Sequence, residues 1–183
     1  MFEYPQPDST ALILIDVQEK FIPAMLDIEK YIAKMRIMLE AAKEINLDTI
    51  ITEQYPQGLG STISSLLEIF KPEWPVITKN SFSCFGESEF NKSLAAQKRK
   101  SVIIMGIETH VCVQQTAFDA LNKGYQVIIP ADTVTSRNAY DRELSLKLMA
   151  SQGAIVTSTE SILFMLLKSS KHPAFRTVSK LIK

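Results

Sequence analysis

The chain has 183 residues, 46% of them apolar, and its 20 basic and 20 acidic side chains cancel. That composition excludes a disordered polypeptide and suits one domain, residues 1–183, with a sizeable core. Zero net charge gives no long-range attraction to a phosphate backbone, so no nucleic-acid partner is expected.

Taken in order, apolar runs alternate with helical patterns. Ala11–Val17 reads as a buried strand with Asp16 near its end. From Ile28 to Ile45, apolar residues recur at helical spacing. Asp48–Thr52 is a second strand, followed by a loop holding Pro56, Gly58 and Gly60 and a short helix over Thr62–Phe70. Pro75–Lys79 is a third strand that closes on a lysine, and Glu87–Lys98 a helix. Ser101–Met105 is a fourth strand, ended by Gly106, and His110–Asn122 a helix stopped by Lys123-Gly124. Tyr125–Ala131 is a fifth strand, Asn138–Gln152 a helix closing on Gly153, and Ala154–Thr157 a sixth strand. Helices over Thr159–Lys168 and Ala174–Ile182 complete the chain. Six strands separated by helices predict an α/β fold, a three-layer doubly wound, Rossmann-like sandwich on a six-stranded parallel sheet.

The N-terminal residues lack the basic flank and apolar core of a secretory signal. No apolar run nears the roughly 18 residues of a membrane span, so no membrane partner is expected. Two cysteines, Cys84 and Cys112, and two histidines fall short of ordinary zinc spacings. The expectation is a cytoplasmic protein with both thiols free, no metal and no cofactor.

Ligands of such sheets bind beyond the carboxyl ends of the strands. Asp16, Lys79 and Cys112 all fall there. Cys112 would stand in the first turn of a helix, where amide N–H groups and the helix dipole favour a thiolate. Asp16 can act as general base and acid, and Lys79 can hold the charges of both partners. Taken singly, each has a plainer role: a loop cap, a solvated strand end, a core thiol. Their convergence on one rim is what favours catalysis.

These residues resemble the isochorismatase-like hydrolases, the cysteine hydrolase superfamily. The matching blocks are Leu14-Ile-Asp-Val-Gln18 with Phe21, Lys79, Gly106-Ile-Glu-Thr-His-Val-Cys112, Asp132 to Arg137, and Gly153-Ala154. Together they span Thr10 to Leu167. The resemblance implies a six-stranded parallel sheet, an Asp–Lys–Cys triad at Asp16, Lys79 and Cys112, and a homo-oligomer. It also implies a cis peptide before Glu108 and an oxyanion hole from the backbone N–H groups of Glu108 and Cys112. The stretch Thr52–Gly60 and the C-terminal segment are most similar to the isochorismatase-domain-containing group. Nicotinamidases of the superfamily carry an Asp-x-His metal motif after the second strand; Gln54 and Pro56 stand here instead, so no metal is implied. Cys112 favours hydrolysis of an amide, ureido or carbamoyl C–N bond over vinyl-ether cleavage.

Gln18, Phe21, Gln54, Tyr55, Phe82 and Phe85 are the candidate substrate contacts, although packing under the loop is an equal reading for Phe82 and Phe85. His110 suits a surface or subunit contact, and Arg137 either an anion or a neighbouring acid. The competing function is a non-catalytic oligomeric scaffold that keeps the fold. Nucleotide binding has only the sheet in its favour, since neither G-x-G-x-x-G nor a Walker A sequence is present.

Overall fold

Continuous apolar runs become central strands. β1 (Thr10–Ile15) is buried along its whole length in the computed structural model, which describes residues 3–183. The chain continues through α1 (Ile28–Glu44), β2 (Asp48–Gln54), the one-turn helices α2 (Pro56–Leu59) and α3 (Ser64–Leu67), and β3 (Val76–Lys79). Then come α4 (Ser88–Gln97), β4 (Ser101–Ile107), α5 (Gln114–Asn122), β5 (Gln126–Pro130), β6 (Val134–Thr135) and α6 (Ala139–Ser151). β7 (Ile155–Thr157), α7 (Thr159–Leu167) and α8 (Phe175–Leu181) finish it.

All strand pairs are parallel, in the order β3-β2-β1-β4-β5-β7. The chain winds outward from β1 to β3, crosses back to β4, then winds the other way. The reversal lies between β1 and β4, which is where a doubly wound sheet opens a crevice at its carboxyl end. Alternation along β1 divides the core. Leu12 and Leu14 pack with α1, α7 and α8, whereas Ala11, Ile13 and Ile15 pack with α4, α5 and Met149 of α6. Each fully buried Leu or Ile contributes about 1.5–3 kcal/mol. Helices thus cover both faces, as expected from the sequence. No helix among the described residues is long and apolar enough to cross a membrane.

Several local expectations are corrected. A seventh strand, the two-residue β6, pairs with Gly106 and Ile107 of β4. Accordingly β4 does not end at Gly106 but runs through it. Gly106 has φ +124, and a Cβ there would lie 2.1 Å from the Ile15 carbonyl oxygen. Its lack of a side chain lets β4 approach β1 where β1 ends. β1 itself stops at Ile15, and Asp16 turns into the left-handed region at φ 52. The expected helix over Thr62–Phe70 shrinks to α3, while the Pro56–Gly60 loop contains α2. The helix that carries Cys112 opens as a π-helical turn, Thr109–Val113, before α5.

Candidate active site

Strand register delivers the three candidate groups to one place. Ile15 lies beside Thr52 of β2 on one side and Gly106 of β4 on the other. Gln54 of β2 lies beside Lys79 of β3. β3 and β1 are two strand spacings, about 10 Å, apart. The long lysine stem crosses β2 to bridge that gap. Lys79 Nζ reaches 2.7 Å from Asp16 Oδ2, and both side chains are wholly buried.

The ammonium is held on all sides. It donates to Gln54 Oε1 at 2.6 Å and to the carbonyls of Ser81 and Phe82 at 3.1 Å each. Those three acceptors match its three protons. With Asp16 the ammonium forms an ion pair, and Oδ2 keeps lone-pair capacity for another proton. The other carboxyl oxygen, Oδ1, accepts from Thr52 Oγ1 at 2.8 Å. The Cys112 thiol stands near enough to both the carboxyl and the ammonium for each to act on its titration. Cys112 is 5% exposed.

Burial sets the resting protonation. It raises the Asp16 carboxyl above its ordinary range, against the opposing Lys79 charge and the Thr52 hydrogen bond. Burial pulls the Lys79 ammonium down, but the neighbouring Asp16 and Cys112 outweigh it and the net shift is upward. Burial, seconded by Asp16, pushes the Cys112 thiol up to about 12, and Lys79 only partly offsets this. The expectation of a resting thiolate is thus corrected. The thiol and the neighbouring carboxyl are both shifted toward their protonated forms.

The Ile107–Glu108 peptide is cis, as the resemblance implied. The Glu108 carbonyl accepts from Val111 N at 3.1 Å and Val113 N at 3.3 Å, which anchors the π-turn holding Cys112. The Glu108 carboxylate accepts from Arg137 N at 3.1 Å and Nε at 3.0 Å. Arg137 therefore pairs with an acid, which is Glu108 and not Asp132; Asp132 instead accepts from Thr159 N and Oγ1 at 2.8 Å. His110 Nδ1 lies 3.0 Å from Ser136 Oγ, away from any dyad with Cys112.

The six expected substrate contacts separate. Gln18 Nε2 donates to the carbonyls of Gln54 and Gly60, and its Oε1 accepts from Gln54 N, so its amide ties two loops together. Gln54 holds Lys79 through Oε1 and donates from Nε2 to the Asn80 carbonyl. Phe85 packs edge-on to Phe90 with centroids 5.1 Å apart, near Tyr125 and under Lys123. These three are corrected to supporting roles because their polar or aromatic surfaces are already engaged. Phe21 is partly buried against the α1-side core. Tyr55 and Phe82 are exposed on the loops after β2 and β3, and remain the free candidates. Thr52 was missed as a neighbour of the site; its signal was its place at the end of Asp48–Thr52, beside the end of β1. Cys84, expected on the loop beyond Lys79, has Sγ 3.9 Å from Thr52 Oγ1 and is fully buried, its thiol pushed up to about 12 chiefly by burial.

Comparison with known proteins follows from this geometry. A family model for the isochorismatase domain matches residues 10–161. The chain is 39% identical over 180 residues to the secreted isochorismatase effector Isc1 of Phytophthora sojae, covering 97% of this chain and 86% of that one. It is 37% identical over 174 residues to isochorismatase domain-containing protein 2 of Xenopus laevis, covering 95% and 83%. Among solved structures, the MAR1 ribonuclease of Caenorhabditis elegans superposes with a TM-score of 0.94 at 38% identity, covering 98% and 92%. The chain belongs to the isochorismatase family of hydrolases.

Proposed function

We propose that the protein is a cysteine hydrolase that cleaves a C–N bond of a small amide, ureido or carbamoyl compound. The observation that carries this is the buried Asp16–Lys79 pair at 2.7 Å with the Cys112 thiol in reach of both. Asp16 takes the thiol proton as the sulfur attacks the substrate carbon. The N–H groups of Glu108 and Cys112 are the proposed donors to the oxyanion. Lys79 holds the charge balance as the proton moves. Collapse breaks the C–N bond, and Asp16 returns its proton to the leaving amine. Water, deprotonated by Asp16, then hydrolyses the thioester or thiocarbamate, and Asp16 returns that proton to the departing sulfur to restore the thiol. Tyr55 and Phe82 would flank the substrate.

The near-complete burial of the trio is the one observation that favours the scaffold reading. A relative named as a ribonuclease makes RNA a substrate to include, although the balanced charge does not favour it. The deciding experiment offers amides, ureides, carbamoyl compounds and a short RNA to the protein and reads intact mass. A small-molecule adduct on Cys112 that is lost in Cys112→Ala supports the proposal. RNA cleavage without an adduct, or no reaction with any compound, would refute it.

Two unbridged thiols suit a reducing compartment such as the cytoplasm, and cell fractionation tests that location. A homo-oligomer is supported by Tyr140, Leu144 and Leu148, exposed at four-residue spacing along α6, and is tested by sedimentation.

A further inference from the structure

Glu87 occupies the N-cap position of α4, yet its side chain makes no capping bond. The carboxylate instead turns back into the preceding loop. Its Oε1 accepts from Asn80 N at 3.0 Å, Ser81 N at 3.1 Å and Ser81 Oγ at 2.6 Å. Three donors on one oxygen leave the capping role to others and tie both ends of the loop together. These bonds, the Ser81 hydroxyl first, hold the Glu87 carboxyl below its ordinary value, so it is ionised at neutral pH.

That loop is also where Lys79 finds its acceptors. The Ser81 and Phe82 carbonyls, which take two of the three ammonium protons, lie one and two residues past Asn80. The loop is closed from beneath as well. A Cβ on Gly86 would lie 2.3 Å from Ser81 Oγ and 2.5 Å from Ser81 Cβ, so only glycine lets Ser81 sit where Glu87 holds it. On its far side the loop is fastened to α5, which follows the Cys112 turn. Ser83 Oγ donates to Asp119 Oδ2 at 2.5 Å, and Cys84 N donates to Thr116 Oγ1 at 3.0 Å. Thr116 is one helical turn beyond Cys112. The same loop thus fixes the Lys79 ammonium and rests on the helix that carries the thiol.

We propose that Glu87 is a positioning residue for Lys79: by gathering Asn80 and Ser81 it aims the Ser81 and Phe82 carbonyls that hold the ammonium between Asp16 and Cys112. This deepens the cysteine-hydrolase reading and rests on it for catalysis, but the hub itself is measurable without a substrate. Without the carboxylate the two carbonyls drift, and the ammonium loses the alignment through which it opposes the rise of the thiol pKa.

The test compares Glu87→Ala, Glu87→Gln and the unaltered protein. Hydrogen exchange of the Asn80 and Ser81 amides reads the hub. The pH dependence of Cys112 alkylation by iodoacetamide reads the ammonium. Glu87→Ala should exchange both amides faster and slow Cys112 alkylation about tenfold at a given pH, the effect of one unit in thiol pKa. Glu87→Gln keeps an acceptor of the same length and should recover most of both. Where a substrate has been found, kcat should fall in Glu87→Ala more than KM changes. Thermal melting shows whether each variant is folded, and if Glu87→Ala is not, Glu87→Gln and Ser81→Ala, which removes only the 2.6 Å bond, take its place with smaller effects in the same direction. Protected amides and an unchanged alkylation profile in the folded variants would overturn the proposal. Absence of turnover in the unaltered protein together with the expected exchange and alkylation changes would overturn the hydrolase reading alone.

Discussion

Replacing Lys79 by methionine keeps most of the stem and removes the charge. It leaves the Asp16 carboxyl without a counter-ion where no solvent reaches, and Gln54 Oε1 and the Ser81 and Phe82 carbonyls without their donor. Removing one partner of a buried pair costs about 3–5 kcal/mol, and each orphaned buried acceptor adds about 1 kcal/mol. A loss of about 6–8 kcal/mol follows, against a total stability of about 5–15 kcal/mol for a domain. The loss also has a pH signature. Asp16 and Lys79 are both raised above their ordinary values of 3.8 and 10.5. A group raised by folding favours the folded state below its ordinary value, and that favour drains as pH rises toward the folded value. In Lys79→Met the largest opposition to the burial of Asp16 is gone and the Thr52 hydrogen bond remains, so its carboxyl rises further and the drain spans a wider interval at about 1.4 kcal/mol per pH unit. Urea unfolding at pH 5 and pH 8 should therefore diverge more for the variant than for the unaltered protein, with pH 8 the weaker. Adding Asp16→Asn removes the orphaned charge and should flatten the pH dependence and restore part of the stability. A Lys79→Met protein with an unchanged urea midpoint at both pH values would show that the pair is not the buried ion pair argued here.

Four further outcomes are expected. Asp16→Asn removes the negative charge that helps raise the Cys112 thiol, so iodoacetamide should label Cys112 faster than in the unaltered protein while turnover falls by about 10²–10⁴; slower labelling would contradict the electrostatics. Cys112→Ala should fold normally and lose both turnover and the covalent adduct. In the unaltered protein at high pH, peptide mapping should find alkylation on Cys112 well before the fully buried Cys84. Gly106→Ala sets a Cβ against the Ile15 carbonyl at a positive φ, and should cost about 3 kcal/mol or more, read as a lowered melting temperature or insoluble expression.

Asp16, Lys79 and Cys112 were legible because strand ends are marked by a change from apolar to polar residues, and a doubly wound sheet places those ends on one rim. The alternating runs were sufficient for the six-strand path and for helices on both faces. Two-residue β6 left no such mark: a Val-Thr pair has no periodicity, and only the extension of β4 past Gly106 creates its partner. Gln18, Gln54 and Phe85 looked like pocket residues because sequence shows which side chains are near a rim, not which are already bonded. Gln54 illustrates the point. Its amide is turned to the Lys79 ammonium, a bond that nothing in the sequence around Gln54 announces. Glu87 was placed correctly near the start of a helix, but the direction of its carboxylate depends on a loop that closes over Gly86.

The thiol shows how magnitude decides between two sound arguments. A helix N-terminus does favour an anion, by about 0.3–1 kcal/mol and up to about 2 kcal/mol when partly buried. The opposing shift of Cys112, from 9.0 to about 12, corresponds to roughly 4 kcal/mol against the thiolate. Burial therefore wins even with an ammonium in reach. The turn that carries Cys112 is also π-helical, with Val113 N bonded five residues back to the Glu108 carbonyl, so it is not the regular α-helical first turn on which the dipole argument rests. The chemistry that remains is one in which charge need not be stored on sulfur. In the proposed mechanism the proton would pass to Asp16 only as the new S–C bond forms, and Lys79, held by its three acceptors, would stay in place while the negative charge moves from carboxylate to substrate oxygen.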